Sequence, residues 1–374
     1  MRILVAPDSF KGTLTSVEAA EAMAAACRRA CPDAEIIQVP LADGGAGTLA
    51  VIARLVPGVM RSCRVSNPLG RPIRAHYLLA GRRGFIEMAQ ASGLTLVPEK
   101  KRDAGKTTSY GTGQMILSAA ESGCRRLFVG LGGSATNDGG MGALSALGVR
   151  FLRKDGSRIL PGSGDTLASV ASIDASGMPA VLKEVSLTLL CDVTNPLTGR
   201  NGATAVYGPQ KGADRATIIR LERGMRHYAR VLERTVRTKV AAVAGAGAAG
   251  GLAAGLLAFF PCRIVSGIKW VLECAGFDEK LSGADLLLTG EGRIDRQTAF
   301  GKTLGELFSR AEARGIPVIA IGGTVSRDAA SLRRGGRIRL VSMAGDGVSF
   351  SDAVEHARSV LMRRVEEALR AHRP

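Results

Sequence analysis

Aromatic side chains are scarce in this chain: they make up 4% of its 374 residues, with a single tryptophan. With 48 glycines and many short apolar runs, that scarcity argues against a β-sandwich and for tightly packed α/β layers. Histidine is scarce too, and the four present lie far apart without metal-ligand spacing. None of the seven cysteines forms a C-x-x-C. Cys27 and Cys31 are four apart and share one helix face, and the thiols read as reduced residues in or near the core. No basic leader precedes the first strand-like stretch, "RILVAP", so no signal peptide is read and a cytoplasmic location is expected.

Acidic residues are outnumbered, and the net charge is +17. The basic residues are scattered, apart from pairs such as Arg82-Arg83 and Arg333-Arg334, and zinc-finger, RRM and basic-helix signatures are missing. An anionic small substrate accounts for the charge, and nucleic acid is not expected as a partner. Charge is absent altogether from Val240 to Cys262, a length that can span a bilayer. Gly247, Gly251 and Gly255 even carry the spacing of packed membrane helices. The run is dominated by Ala and Gly, whereas Leu, Ile, Phe and Val drive insertion, so a close-packed helix is expected and no membrane.

What is present is an alternating α/β pattern at both ends. "RILVAPDSF" reads as a buried strand, Thr15 to Arg29 as a helix capped by Ser16 or Thr13, and "AEIIQVP" as a second strand. Near the other end come "ADLLLTGEG", a helix from Thr303 to Ala313 with a Glu306–Arg310 pair, then "IPVIAIGG" and "IRLVSMAG". A last helix runs from Ser351, its cap, to His372, with Val354, Leu361, Val365 and Leu369 facing inward. Between the ends, Arg61 to Met88 reads as short strands of an antiparallel or mixed sheet and Asp155-Gly156 as a hairpin turn. Ile218, Leu221, Met225, Tyr228 and Leu232 form the core stripe of a long helix. The fold class expected is α/β: a discontinuous Rossmann- or flavodoxin-like parallel-sheet domain, 1–62 plus 284–374, with an inserted second α/β domain, 63–283, containing a mixed sheet. The block 111–150 can pack with either.

Several strands end in loops of one chemical type: "DSFKG", "ADGG", "GGSATND", "CDVTN" and "TGEGRID". Ligands of open α/β sheets bind beyond the carboxyl ends of strands. Glycine exposes backbone N–H groups to phosphate, lysine neutralises it, and carboxylates hold Mg²⁺ or accept a proton from an alcohol. Together these point to phosphoryl transfer. "AGKTT" and "FGKT" are not P-loops, because the glycine required five residues earlier is Lys100 or Arg296. "GAGAAG" at 245–250 matches the dinucleotide pattern G-x-G-x-x-G and leaves an NAD-dependent oxidoreductase as an alternative, conditional on a strand leading into it.

The motifs "APDSFKGTLTS", "PLADGGAGT", "VGLGGSATNDGGMGALSALG", "DVTNPLTGRNGATAVYGPQKGA", "GAGAAGGLAAG" and "LLLTGEGRIDRQTAFGKT" follow one another in order. In this order the chain resembles, nearly end to end, the bacterial glycerate kinase family that is neither P-loop nor ribokinase-like. The resemblance implies an ATP- and Mg²⁺-dependent kinase acting on D-glycerate at the 2-hydroxyl, with the site between two α/β domains. Two positions depart from the family pattern: Ala46 stands where Glu is usual, and Tyr207 where Phe is usual.

Roles then follow for individual residues. Asp295 or Asp192 is the candidate base, with Asp295 preferred because Glu291 offers a second carboxylate nearby; Lys11 joins them as a catalytic candidate. Gly132, Gly133, Ser134, Thr136, Asn137, Lys211 and Lys302 are candidates for phosphate or nucleotide. Ser9, Asp43, Gly44, Gly45, Arg71 and Arg293 are candidates for the substrate, the arginines through bidentate pairing with its carboxylate. Asp138 and Glu291 are the metal candidates. A non-catalytic metabolite-binding homologue is the remaining alternative, and a monomer or homodimer is expected.

Overall fold

The structure is a computed structural model, and it describes residues 1–299, 303–332, 336–345 and 347–372. In chain order its strands are β1 (Arg2–Val5), β2 (Glu35–Gln38), β3 (Val59–Ser66), β4 (Pro72–Ala80), β5 (Arg83–Glu87), β6 (Arg126–Gly130), β7 (Arg150–Leu152), β8 (Arg158–Ile159), β9 (Ser172–Asp174), β10 (Ser186–Leu190), β11 (Cys262–Val265), β12 (Leu286–Ile294), β13 (Val318–Val325) and β14 (Ile338–Ser342). The chain divides into two compact units. The first is Met1–Asp43, Ala50–Leu55 and Ile268–Pro374; the second is Gly44–Leu49 and Val56–Gly267.

The sheet of the first unit is parallel throughout, in the order β14-β13-β12-β1-β2. Successive side chains of a strand point to opposite faces, so Ile3 and Val5 enter one core and Leu4 the other. Both faces are therefore covered, which is why these strands read as apolar runs. Ser16–Ala30 and Ala357–Arg370 pack on the Ile3 side; Phe277–Ser282 and Thr303–Ala313 pack on the Leu4 side. The chain moves outward one way from β1 to β2, and the other way from β12 through β13 to β14. The reversal places the topological switch point, where open α/β sheets bind ligands, between β1 and β12.

Two helix ends differ from expectation. The first helix starts from Thr15, because its hydroxyl accepts the Glu18 amide at 3.2 Å while the Glu18 carboxylate accepts the Thr15 amide at 2.9 Å. Two orphan donors are satisfied reciprocally, which neither Ser16 nor Thr13 achieves. The last helical stretch breaks at His356 into Phe350–Glu355, capped by Ser349, and Ala357–Arg370. Leu361, Val365 and Leu369 are buried, whereas the break leaves Val354 exposed.

The second unit holds a six-stranded mixed sheet, β11-β10-β6-β5-β4-β3, and a small antiparallel sheet, β8-β7-β9. β5, β6, β10 and β11 run parallel, and β3, β4 and β5 are antiparallel neighbours. Helix Arg215–Val236 buries Leu221, Met225, Tyr228 and Leu232. The unit boundaries fall elsewhere than at 62/63 and 283/284. β3 pairs with β4 from Val59 to Ser66 and stays whole with the second sheet. Ile268, Leu272, Phe277 and Leu281 are buried with Leu4 and Leu287, which ties them to the first. The block 111–150 lies in the second unit.

The uncharged run from Val240 to Cys262 is not one helix. Its helical part is Ala248–Phe259, and Ala249, Gly250 and Gly251 depart from helical geometry. Among the described residues no helix is long and apolar enough to cross a membrane. The glycines serve close packing: a Cβ on Gly255 would stand 2.8 Å from the Gly139 carbonyl oxygen. Gly255→Ala therefore sets two effects against each other. Helix propensity gains about 1 kcal/mol, while a forced backbone shift in a packed core costs about 1–3 kcal/mol. Net destabilisation is expected from urea unfolding, and a gain in stability would contradict the packing account.

Candidate active site

The second unit presents a row of polar loops at the carboxyl ends of its parallel strands. β6 ends at Gly130 and the chain turns through Gly140 into helix Met141–Ala146. Asp138, fully buried, organises this turn. Its Oδ2 accepts the Ser109 amide and hydroxyl, both at 2.7 Å, and the Gly142 amide at 3.2 Å; its Oδ1 accepts the Gly140 amide at 3.1 Å. Burial pushes the carboxyl pKa up, and these donors hold it down in opposition. With both oxygens occupied in this way, Asp138 builds the turn.

Lys211 is the other buried charge of the loop. Its Nζ donates to Ser134 Oγ at 2.8 Å and to the Thr136 carbonyl at 2.7 Å. Burial lowers its pKa from 10.5 to about 7, and Asp138 pulls it back upward. Ser134 and Thr136 are thus joined through Lys211. The Asn137 amide bonds the buried Thr204 hydroxyl at 3.1 Å, and the Thr136 hydroxyl donates to the Ala249 carbonyl at 3.4 Å.

The glycines of this edge bring backbones together. A Cβ on Gly130 would lie 2.7 Å from the Gly44 carbonyl oxygen; on Gly132, 2.4 Å from Gly45 Cα; on Gly44, 2.6 Å from the Leu190 carbonyl oxygen. The Gly132 amide donates to Gly44 O at 2.9 Å, so it is spent inside the protein and is not offered to phosphate. Gly133 is exposed, with φ of 75°. Glu87, at the end of β5, fixes the same segment: its Oε2 accepts the amides of Gly47 at 3.1 Å and Leu49 at 3.0 Å. Sequence reasoning missed Glu87, whose one signal is a carboxylate closing an apolar strand, "GFIE".

"GAGAAG" belongs to this packing and not to a dinucleotide turn. Turns, not a strand, lead into Gly245. A Cβ on Gly247 would lie 2.3 Å from Pro196 O, and one on Gly250 only 1.9 Å from Thr136 O. The oxidoreductase alternative loses its structural condition. At the next strand end, Asp192 accepts the Ser266 hydroxyl at 2.5 Å, which links the ends of β10 and β11. Tyr207 donates its hydroxyl to Asn195 Oδ1 at 2.7 Å, a bond the usual Phe cannot make. Arg71 stands exposed in the β3–β4 turn, where Asn67 Oδ1 accepts its amide at 2.9 Å.

The first unit gathers a second set of residues at its switch point. Asp8 follows β1, and its amide donates to Gly290 O on β12 at 2.8 Å. Its Oδ1 accepts the Ser9 amide at 2.6 Å, and the Thr303 hydroxyl bonds the same carboxylate. Burial, then repulsion from Asp43, raises its pKa to about 6, and Lys11 opposes the rise. On β12, Glu291 Oε1 accepts the Thr298 hydroxyl at 2.9 Å, and Thr298 Oγ1 accepts the Asp295 amide at 3.1 Å. Arg293, largely exposed, pairs with Asp295 at 3.4 Å. Ser9, Lys11, Asp43, Glu291, Arg293 and Asp295 thus all belong to the carboxyl edge of this sheet; Lys302 lies outside the described residues. Asp8 was not singled out from sequence, where nothing distinguishes its burial.

The buried lysine has a measurable consequence. Between about 7 and 10.5 the unfolded chain keeps a proton that folded Lys211 has released, so stability rises with pH across that window. Below it, the cost of burying the charge is felt in full. Wild type should therefore gain on Lys211→Met by up to about 1.4 kcal/mol per pH unit in urea unfolding across the window. A difference flat in pH would contradict a lysine titrating there.

The chain is similar to known proteins along nearly its whole length. The model of the glycerate kinase family matches residues 3–373. A glycerate kinase of Bacillus subtilis (strain 168) is 44% identical over 369 residues, covering 98% of this chain and 96% of that protein. A glycerate 2-kinase of Escherichia coli (strain K12) is 43% identical over 330 residues, covering 88% and 86%. A crystal structure described as that of a glycerate kinase 2 from Salmonella typhimurium LT2 superposes with a TM-score of 0.82 at 39% identity, covering 99% and 98%. With a family model matching residues 3–373 and similarity of this breadth, the chain belongs to the glycerate kinase family.

Proposed function

We propose that this chain transfers the γ-phosphoryl group of ATP to the 2-hydroxyl of D-glycerate. The observation that carries the reading is the clustering of Ser9, Lys11, Asp43, Glu291, Arg293 and Asp295 at the switch-point edge of a sheet in a chain of this family. A relative named glycerate 2-kinase at 43% identity supports the 2-hydroxyl as acceptor.

The chemistry needs little covalent participation from the protein. Phosphoryl transfer is promoted mainly by alignment and by charge placed against the phosphate oxygens. Among the described residues of the first unit, Lys11 and Arg293 are cations suited to the glycerate carboxylate and the phosphates, and Arg293 can meet a carboxylate with two parallel bonds. In the second unit, Asp138, Asn137, Thr136 and Lys211 hold from within the shape of the loop that carries Gly133 and Ser134. Lys211 acts through Ser134 and not by contact with phosphate, since it is 2% exposed.

Mg²⁺ supplies charge neutralisation on the phosphates when bound. The donor set does not fit a cage built by the protein. Among the described residues no three carboxylate, histidine or cysteine side chains converge on one point. Asp138 is taken by four donors, and Glu291 accepts Thr298. An ion that arrives on ATP needs few protein ligands, and no step here is routed through it.

The test is ADP release from the purified protein with ATP, Mg²⁺ and D-glycerate, with the product read by phosphorus NMR. Glycerate-dependent turnover giving the 2-phosphate is expected. Ligand binding without turnover, or turnover of a nicotinamide cofactor instead, would overturn the reading.

A further inference from the structure

Two carboxylates favoured as the base from sequence are already committed. Asp295 is held in an ion pair with Arg293 at 3.4 Å, and its amide is tied to Thr298. Asp192 takes the Ser266 hydroxyl at 2.5 Å. Asp8 differs from both in its neighbours, since the Asp43 carboxylate acts on it. It is the first polar residue beyond β1, at the switch point, and its backbone is locked to β12 through Gly290. The Ser9 amide and the Thr303 hydroxyl fix its carboxylate from two sides.

We propose that Asp8 is the general base that takes the proton of the acceptor hydroxyl, an assignment that rests on the kinase reading above. The step balances simply. The glycerate oxygen forms a bond to the γ-phosphorus, the bond from that phosphorus to the β–γ bridging oxygen breaks, and ADP leaves. The hydroxyl proton passes to the Asp8 carboxylate and from there to water.

The surroundings of Asp8 suit this task. Among the described residues, the charged groups acting on it are Asp43, from the loop after β2, and Lys11, from its own loop; Ser9 and Thr303 are neutral donors. Glu291, on the adjoining strand, gives its Oε1 to Thr298. Burial and the negative charge of Asp43 raise the affinity of Asp8 for a proton, to a pKa of about 6. A base is most effective when its pKa lies near the working pH, because it is then both deprotonated and a good acceptor.

The assignment gives Asp43 a defined part as a positioning residue that acts through Asp8. Removing its charge makes Asp8 a weaker base. Ionisation of Asp8 then becomes easier, and the acid limb of the pH–rate profile moves to lower pH.

The experiment compares wild type, Asp8→Asn and Asp43→Asn by kcat, by the KM for glycerate, and by the pH dependence of kcat/KM, with folding checked by circular dichroism. Wild type should show an acid limb near pH 6. Asp8→Asn should lose about 10²–10⁴-fold in kcat with little change in KM. Asp43→Asn should keep the limb but shift it downward, a readout available in a protein whose Asp8 is intact. The assignment is overturned if Asp8→Asn stays within about threefold of wild type, or if raised Mg²⁺ restores it, which would make Asp8 an ion ligand. It is also overturned if the limb does not move in Asp43→Asn. No glycerate-dependent turnover in wild type would remove the kinase reading and the base with it; turnover in both wild type and Asp8→Asn would remove only the base.

Discussion

A buried carboxylate holds the loop edge of the second unit together. Asp138 has no contact with water, yet four donors from two segments, Ser109 and Gly140–Gly142, converge on it. Hydrogen bonds to a charged acceptor contribute about 1.5–3 kcal/mol each, and losing one partner leaves the rest buried and unpaired. The glycine contacts of Gly130 and Gly132 with Gly44 and Gly45 depend on that turn staying in place. So do the bonds that draw Lys211 inward to Ser134 and Thr136. Position at this edge is set by polar groups that are themselves buried.

The first unit solves a different problem. Its sheet is a mainly apolar layer covered on both faces, and the residues proposed for its chemistry lie at the strand ends. The reversal of strand order between β1 and β12 separates the connecting segments there and leaves room beyond the carboxyl ends. Asp8, Lys11, Glu291 and Arg293 come from those two ends. Their partners are local, Ser9, Thr298 and Thr303, so each carboxylate has its own environment. Asp8 is made basic by burial and by Asp43, while Asp295 is balanced by a cation.

Much of this was legible in the residues. Apolar runs such as "LLLTG" and the polar loops that follow them announce a parallel sheet and the edge where its ligands bind. The spacing of Leu221, Met225, Tyr228 and Leu232 gives the buried face of their helix. Burial and partnership were not legible. A glycine placed for a neighbouring backbone looks the same as one placed for a phosphate, and Gly132 proves to be the former. Lys211 sits in a motif that invites a phosphate role, but only the fold shows its ammonium turned inward. Glu87 escaped notice because it ends an ordinary apolar strand, and Asp8, though it opens the loop "DSFKG", carried no sign of a role of its own. The exchange of Phe for Tyr207 adds a bond to Asn195, and the exposed Ala46 lies on the segment that Glu87 holds.

The organising part given to Asp138 is tested most directly by hydrogen–deuterium exchange in Asp138→Asn. An amide side chain offers one acceptor oxygen where the carboxylate offered two, and it turns a donor toward donors. If Asp138 holds the edge together, exchange should speed up in both 109–113 and 138–143, with the sheet strands unchanged. Exchange that matches the wild type in both segments would contradict the account.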